Sequence, residues 1–198
     1  MDDAGVVGLV DAFEHSIEAG TAVATREPRL IREPRLIRER TSLGETALHL
    51  LVLGSRQDAV SAMLRLGADV CALCDFGESA LSLAASLGKV EVVQMLLHAG
   101  APVAIDGQLT PTLHKGVQSG NRQVVGLLID AGADVNEQAD FAEAPIHIAA
   151  EEGFAEIVEL LLSKGADAQL KSTFGGTALD VARDAGHEAC VVLLTSRH

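Results

Sequence analysis

The chain has 198 residues, 48% hydrophobic and 22% charged, with no Trp, no Tyr and five Phe, a globular composition whose core must be built from small aliphatic side chains. Its net charge of −13 argues against nucleic acid, because phosphate recognition rests on neutralisation by Lys and Arg. No apolar run approaches the roughly 18 residues of a membrane span, "MDDAGVV" lacks the start of a signal peptide, and three cysteines make no disulfide framework, so a reducing, cytoplasmic setting is expected.

In chain order, the first predicted element is a helix over "VVGLVDAFEHSIEAG", where Val6, Val7, Leu9, Val10, Phe13 and Ile17 recur at helical spacing before Gly20. Next comes "REPRLIREPRLIRER", Arg26 to Arg40, two copies of six residues and the start of a third. With Thr25 as cap, Pro28 falls in a first turn, where it costs little, and Pro34 ends a short helix from about Arg26 to Glu33. The duplication thus occupies the place of the second helix of an N-terminal capping unit. Its six Arg and three Glu read as a solvated helix with internal ion pairs rather than a linear motif.

From Thr41 onward the sequence repeats itself. "LRLGADV", "LHAGAPV", "IDAGADV" and "LSKGADA" place glycines at Gly67, Gly100, Gly132 and Gly165, steps of 33, 32 and 33 residues. "GETALH", "GESALS", "TPTLH", "EAPIH" and "GGTALD" run in step with them, from Leu48 through Leu81, Leu113 and Ile146 to Leu179. Each unit reads as two short helices. The first is capped near Thr46, Ser79, Ala144 or Thr177 and stops near Gly88, Gly120, Gly153 or Gly186; the second stops at the glycine of "GAD". One such pair cannot bury its apolar face alone, but a stack of pairs can.

"FGESALSLAASLGKVEVVQMLLHAGAPV" (Phe76 to Val103) and "EAPIHIAAEEGFAEIVELLLSKGADA" (Glu143 to Ala168) resemble the ankyrin-repeat family. The resemblance runs from about Thr41 to the C-terminus and implies an all-α solenoid, an L-shaped stack whose turns form a ridge beside a concave, protein-binding helical face. The expected organisation is one continuous domain: an N-terminal cap over 1–40, repeats over 41–73, 74–105, 106–138 and 139–171, and a C-terminal cap over 172–198. The unit with "DGQLTPTLHKGV" departs from the pattern, being one residue short and carrying Lys115-Gly116 where Ala-Ala is usual.

His49, His114 and His147 share one repeat position, where the resemblance implies hydrogen bonds that tie neighbouring turns. His187 follows Gly186 as the Gly-His pair of that family does, and His15, His98 and His198 have no spacing that suggests a shared ligand set. Cys71 and Cys74 have C-x-x-C spacing but lie in an inter-repeat turn without a second ligand pair. No phosphate loop, H-E-x-x-H or nucleophile elbow is present. The expected protein is therefore not an enzyme, needs no cofactor and uses no metal.

The turn tips carry more information. The residue before the turn glycine is assigned to Leu43, Phe76, Gln108, Phe141 and Phe174, with Ala142 in a glycine's place. Glu45, Asp75, Glu78, Asp140, Glu143, Glu151 and Glu152 occupy the adjoining variable positions. An apolar ridge flanked by acid suits a basic or amphipathic protein partner. The reading is a monomeric, non-catalytic interaction module, a scaffold or modulator that binds through Leu43, Glu45, Phe76, Glu78, Gln108, Phe141, Glu143, Glu151, Glu152 and Phe174, with no nucleic acid and no membrane involved. Its rivals are a structural or engineered stack without a dedicated ligand, and a zinc- or thiol-dependent regulator using Cys71 and Cys74.

Overall fold

A computed structural model of the chain describes residues 7, 8, 11, 38–54 and 56–196. The REPRLI duplication up to residue 37, its expected helix and most of the N-terminal helix lie outside the described residues. The described residues contain ten α-helices arranged in pairs. They are α1 (Ala47–Leu53), α2 (Gln57–Arg65), α3 (Ala80–Ser86), α4 (Val90–His98), α5 (Thr112–Gln118), α6 (Arg122–Asp130), α7 (Pro145–Glu151), α8 (Ala155–Ser163), α9 (Ala178–Asp184) and α10 (Glu188–Thr195). The described residues form two compact units, one of those up to 84 with 91–109 and one of 85–90 with 110–196.

None of these ten helices exceeds nine residues, too short to be stable in isolation, so each depends on what it buries. In the first unit α1 buries Leu48, Leu51 and Val52, α2 buries Val60 and Met63, and α4 buries Val92, Val93 and Leu96. In the second unit the first helices α5, α7 and α9 pack in one row and the second helices α6, α8 and α10 in another. Leu113, Ile146, Ile157, Leu161 and Leu194 are almost wholly buried there, interleaved with Ala149, Ala150 and Ala182. The alanines keep the first-helix row thin, which is how a chain without Trp or Tyr can close its core. This is the all-α architecture of stacked helix pairs expected from the repeat.

Gly116 explains the unusual Lys115-Gly116 pair. A Cβ built on Gly116 would lie 2.7 Å from Leu128 Cδ1, so the space that alanine would take is filled from the neighbouring helix. The glycine gives up roughly 1 kcal/mol of helix propensity relative to Ala; burying Leu128 offsets it. The second helices end as the pattern predicts, with Gly67, Gly100, Gly132 and Gly165 at φ 82, 84, 98 and 92. That left-handed cap is open to glycine at little cost.

Candidate functional site

The site is built from the turns that precede the first helices. In the first, Thr41 N–H donates to the Glu45 carbonyl at 2.8 Å and Gly44 N–H to the Thr41 carbonyl at 3.0 Å, with an antiparallel bridge between Arg40 and Thr46. The second repeats this with Cys74 to Glu78, Gly77 to Cys74 and a bridge from Leu73 to Ser79. In the last, Ser172 bonds Gly176 and Gly175 bonds Ser172. Each is a short hairpin finger whose glycine, at φ 73, 65 and 82 respectively, makes the bulge that lets the chain return. The residue before that glycine is thrust outward. Leu43 is 46% exposed, Phe76 58% and Phe174 79%.

The finger over Asp140–Glu143 reaches the same shape by a costlier route. Phe141 (φ 61) and Ala142 (φ 55) are both left-handed without being glycine, at a cost of about 1–2 kcal/mol per residue. Neighbours hold them there. The Phe141 carbonyl accepts from Thr173 N–H at 2.7 Å, the Ala142 carbonyl from Gln138 Nε2 at 2.7 Å, and the Glu143 carbonyl from Ala139 N–H at 2.9 Å and His114 Nε2 at 2.9 Å. The Phe141 and Phe174 rings stack with centroids 5.8 Å apart and planes 25° off parallel, while Phe141 remains 62% exposed.

The finger containing Gln108 differs from the sequence assignment. Its turn closes with Gln108 N–H on the Ile105 carbonyl at 3.0 Å, and the left-handed residue is Gly107 at φ 88. In a repeat one residue short, the turn forms where a glycine is available. Gly107 therefore sits at the tip, Gln108 is half-buried, and the outward apolar residue is Leu109, 70% exposed. Leu109 lies over Gly77, where a Cβ would meet its Cγ at 2.7 Å.

Carboxylates flank the tips. Asp75 and Asp140 are exposed and Glu45, Glu78 and Glu143 half-buried; the Glu45 carboxylate accepts from Thr41 Oγ1 at 3.2 Å. Glu151 and Glu152 are exposed at the end of α7, and the Glu151 carbonyl accepts from His187 Nε2 at 2.8 Å.

The shared histidines are architectural. His49 Nδ1 accepts from Thr46 N–H at 3.2 Å, and its Nε2 donates to the Glu78 carbonyl at 3.1 Å, across 29 residues. His147 does the same between Ala144 N–H and the Leu170 carbonyl. At His114 the Nε2 bond survives, but Pro111 stands at the cap and has no N–H, so the buried Nδ1 is without a hydrogen-bond partner. Burial pushes the His49 and His114 pKa values below the usual 6.5, with the carbonyl bonds only partly countering. Ser82 replaces histidine in α3 and keeps its bonds within its own cap, on Ser79.

Two further ladders are invisible in the motif reading. Arg40 and Gln138 each donate to their own finger (Gly44 and Ala142 carbonyls) and to the backbone 33 residues on (Leu73 and Lys171 carbonyls). Asn121, Phe154 and His187 each lie over the glycine of the preceding pair, Gly88, Gly120 and Gly153. Their spacing of one repeat was the available signal. Cys71 is exposed, whereas Cys74 is buried at the base of its finger. Among the described residues no group of three His, Cys, Asp or Glu is placed to hold a metal ion, and no helix is long and apolar enough to cross a membrane.

A family model of ankyrin repeats in three copies matches residues 27–106 and 113–198. The chain is similar to the nuclear factor NF-kappa-B p105 subunit of Rattus norvegicus, at 37% identity over 103 residues, 50% of this chain and 11% of that protein. It is similar to Protein PhlB of Serratia liquefaciens at 35% over 107 residues, 53% of this chain and 47% of that protein. With the ankyrin repeat protein FPV223 of Fowlpox virus (strain NVSL) it shares 30% over 112 residues, 54% of this chain and 76% of that protein. The chain thus spans about a tenth of the first of these relatives and about half of the second.

Proposed function

The chain belongs to the ankyrin-repeat family, whose repeats are in general protein–protein interaction modules, and from that premise we propose that it is a non-catalytic module, a scaffold or modulator, that takes a basic, amphipathic protein segment on its finger tips. One observation carries the reading: each unit thrusts large apolar side chains outward beside carboxylates. Leu43 and Phe76 do so in the first unit, Phe141 and Phe174 in the second. Phe recurs at the finger tips with each residue 58–79% exposed, apolar surface that a partner can cover. Glu45, Glu78 and Glu143, with Glu151 and Glu152 at the end of α7, supply the field that steers a cationic segment. Leu109 joins these anchors in place of Gln108. The free thiols of Cys71, Cys74 and Cys190 support a reducing, cytoplasmic setting.

The rival reading, a ridge stiffened by its own rings, draws on the Phe141–Phe174 stack. Both readings are tested on one protein. A synthetic amphipathic helical peptide rich in Lys and Leu is expected to bind, and Phe141→Ala with Phe174→Ala to weaken it by about 2 kcal/mol or more in total. Glu78→Lys with Glu143→Lys should mainly slow association, with the effect shrinking at high salt. A fall in melting temperature with affinity untouched would retire the tips as a binding surface.

A further inference from the structure

The Phe141–Phe174 pair has two properties that do not usually go together. The two residues are among the most exposed large hydrophobic ones described, at 62% and 79%, and the backbone beneath one of them is fastened at each carbonyl from Phe141 to Glu143. Three successive carbonyls, those of Phe141, Ala142 and Glu143, accept hydrogen bonds from Thr173, from Gln138 and from Ala139 with His114. These bonds fix two left-handed residues that no glycine eases. The backbone that carries Phe141 is therefore held in place, and its ring stacks on Phe174 at 5.8 Å with planes 25° apart. Preorganisation lowers the ordering cost of binding.

Their surroundings select a cation. An aromatic face carries negative electrostatic potential and attracts a cation above it. Asp140, exposed and adjacent to Phe141 in the turn, adds a carboxylate, and the chain as a whole carries −13. Lys171, two residues before Thr173 in the sequence, carries the opposite charge. A planar guanidinium can lie flat on a ring while its edge donates to a carboxylate through two parallel N–H groups; a tetrahedral ammonium has neither the plane nor the fork.

We propose that the Phe141–Phe174 pair is a stacking platform for an arginine side chain of a basic protein segment. This rests on the interaction-module reading above and specifies the chemistry of one anchor. The mode is a guanidinium laid on the outer ring with Asp140 as its acceptor.

The probes are nona-arginine, nona-lysine and the Lys/Leu amphipathic peptide, each titrated into the full chain. The proposal expects nona-arginine to bind several-fold more tightly than nona-lysine, and its Arg Hδ protons to shift upfield from the ring current. Phe141→Leu with Phe174→Leu keeps the apolar area but removes the rings; it should abolish the upfield shift and weaken nona-arginine at least fivefold. Phe174→Leu alone should show the same trend and leaves the left-handed residue untouched should the double variant unfold. Equal affinity for the two homopolymers, no ring-current shift and indifference to the Leu variants would overturn the platform. If the amphipathic peptide then still binds and still loses affinity on the Phe-to-Ala changes, the module reading stands without it. If none of the three peptides binds, both fall.

Discussion

Ala142 holds, without glycine, the left-handed position that Gly44, Gly77 and Gly175 fill in other fingers, at φ 55 against their 73, 65 and 82. The strain of about 1–2 kcal/mol should be recoverable. Ala142→Gly relieves it but adds freedom to the unfolded chain, so a net gain of roughly 0.5–1 kcal/mol is expected. The denaturant midpoint measures it. No change would mean that the turn in solution does not keep Ala142 left-handed. A separate consequence would be informative: if the change also loosens Phe141, ligand affinity should fall while stability rises.

At the scale of the element, α1 and α5 are held to their neighbours by the buried imidazoles of His49 and His114, whose charged form burial disfavours. His49 Nδ1 accepts an N–H and its Nε2 donates to a carbonyl, so a second proton would place N–H against N–H. For His49 and His114 the folded pKa lies below the unfolded value of 6.5, chiefly through burial. The stability they contribute is therefore complete above 6.5 and is lost as pH falls through the folded values, because the unfolded chain takes up protons first. Glu137 has the opposite sign, its carboxyl raised above 4.5 by burial and by Asp134, but its window begins nearer 4.5. Urea midpoints taken from pH 7.5 downward should begin to decline just below 6.5, and His49→Gln should flatten that decline. A midpoint independent of pH between 7 and 5.5 would contradict the assigned tautomer and burial.

For the whole molecule, stability is a sum over neighbouring pairs. In the second unit α9 packs on α7 and α10 on α8. Truncation after Gly165 removes α9 and α10 and bares Ile157, Leu160 and Leu161, now at 1%, 9% and 0% exposure. The shortened protein should melt markedly earlier or aggregate. Unchanged thermal unfolding and solubility would count against the stacked architecture itself.

Much of this was legible in the sequence because it is written locally and repeated. The 33-residue period, the helix ends at glycine and the shared position of His49, His114 and His147 each depend on a few adjacent residues, and recurrence separates them from chance. The tertiary structure decided what depends on a neighbour one repeat away. The repeat pattern puts Gln108 at a tip, but the shortened turn closes around Gly107 and sends Leu109 outward. Gly116 read as a departure until Leu128 proved to fill its missing methyl. The Phe positions were visible, but their stacking and left-handed backbone were not. The reason is geometric: local propensity chooses the element, while the direction of an exposed side chain and the cost of its backbone are set by hydrogen bonds from residues such as Thr173, Gln138 and His114, which only the packed repeats bring within reach.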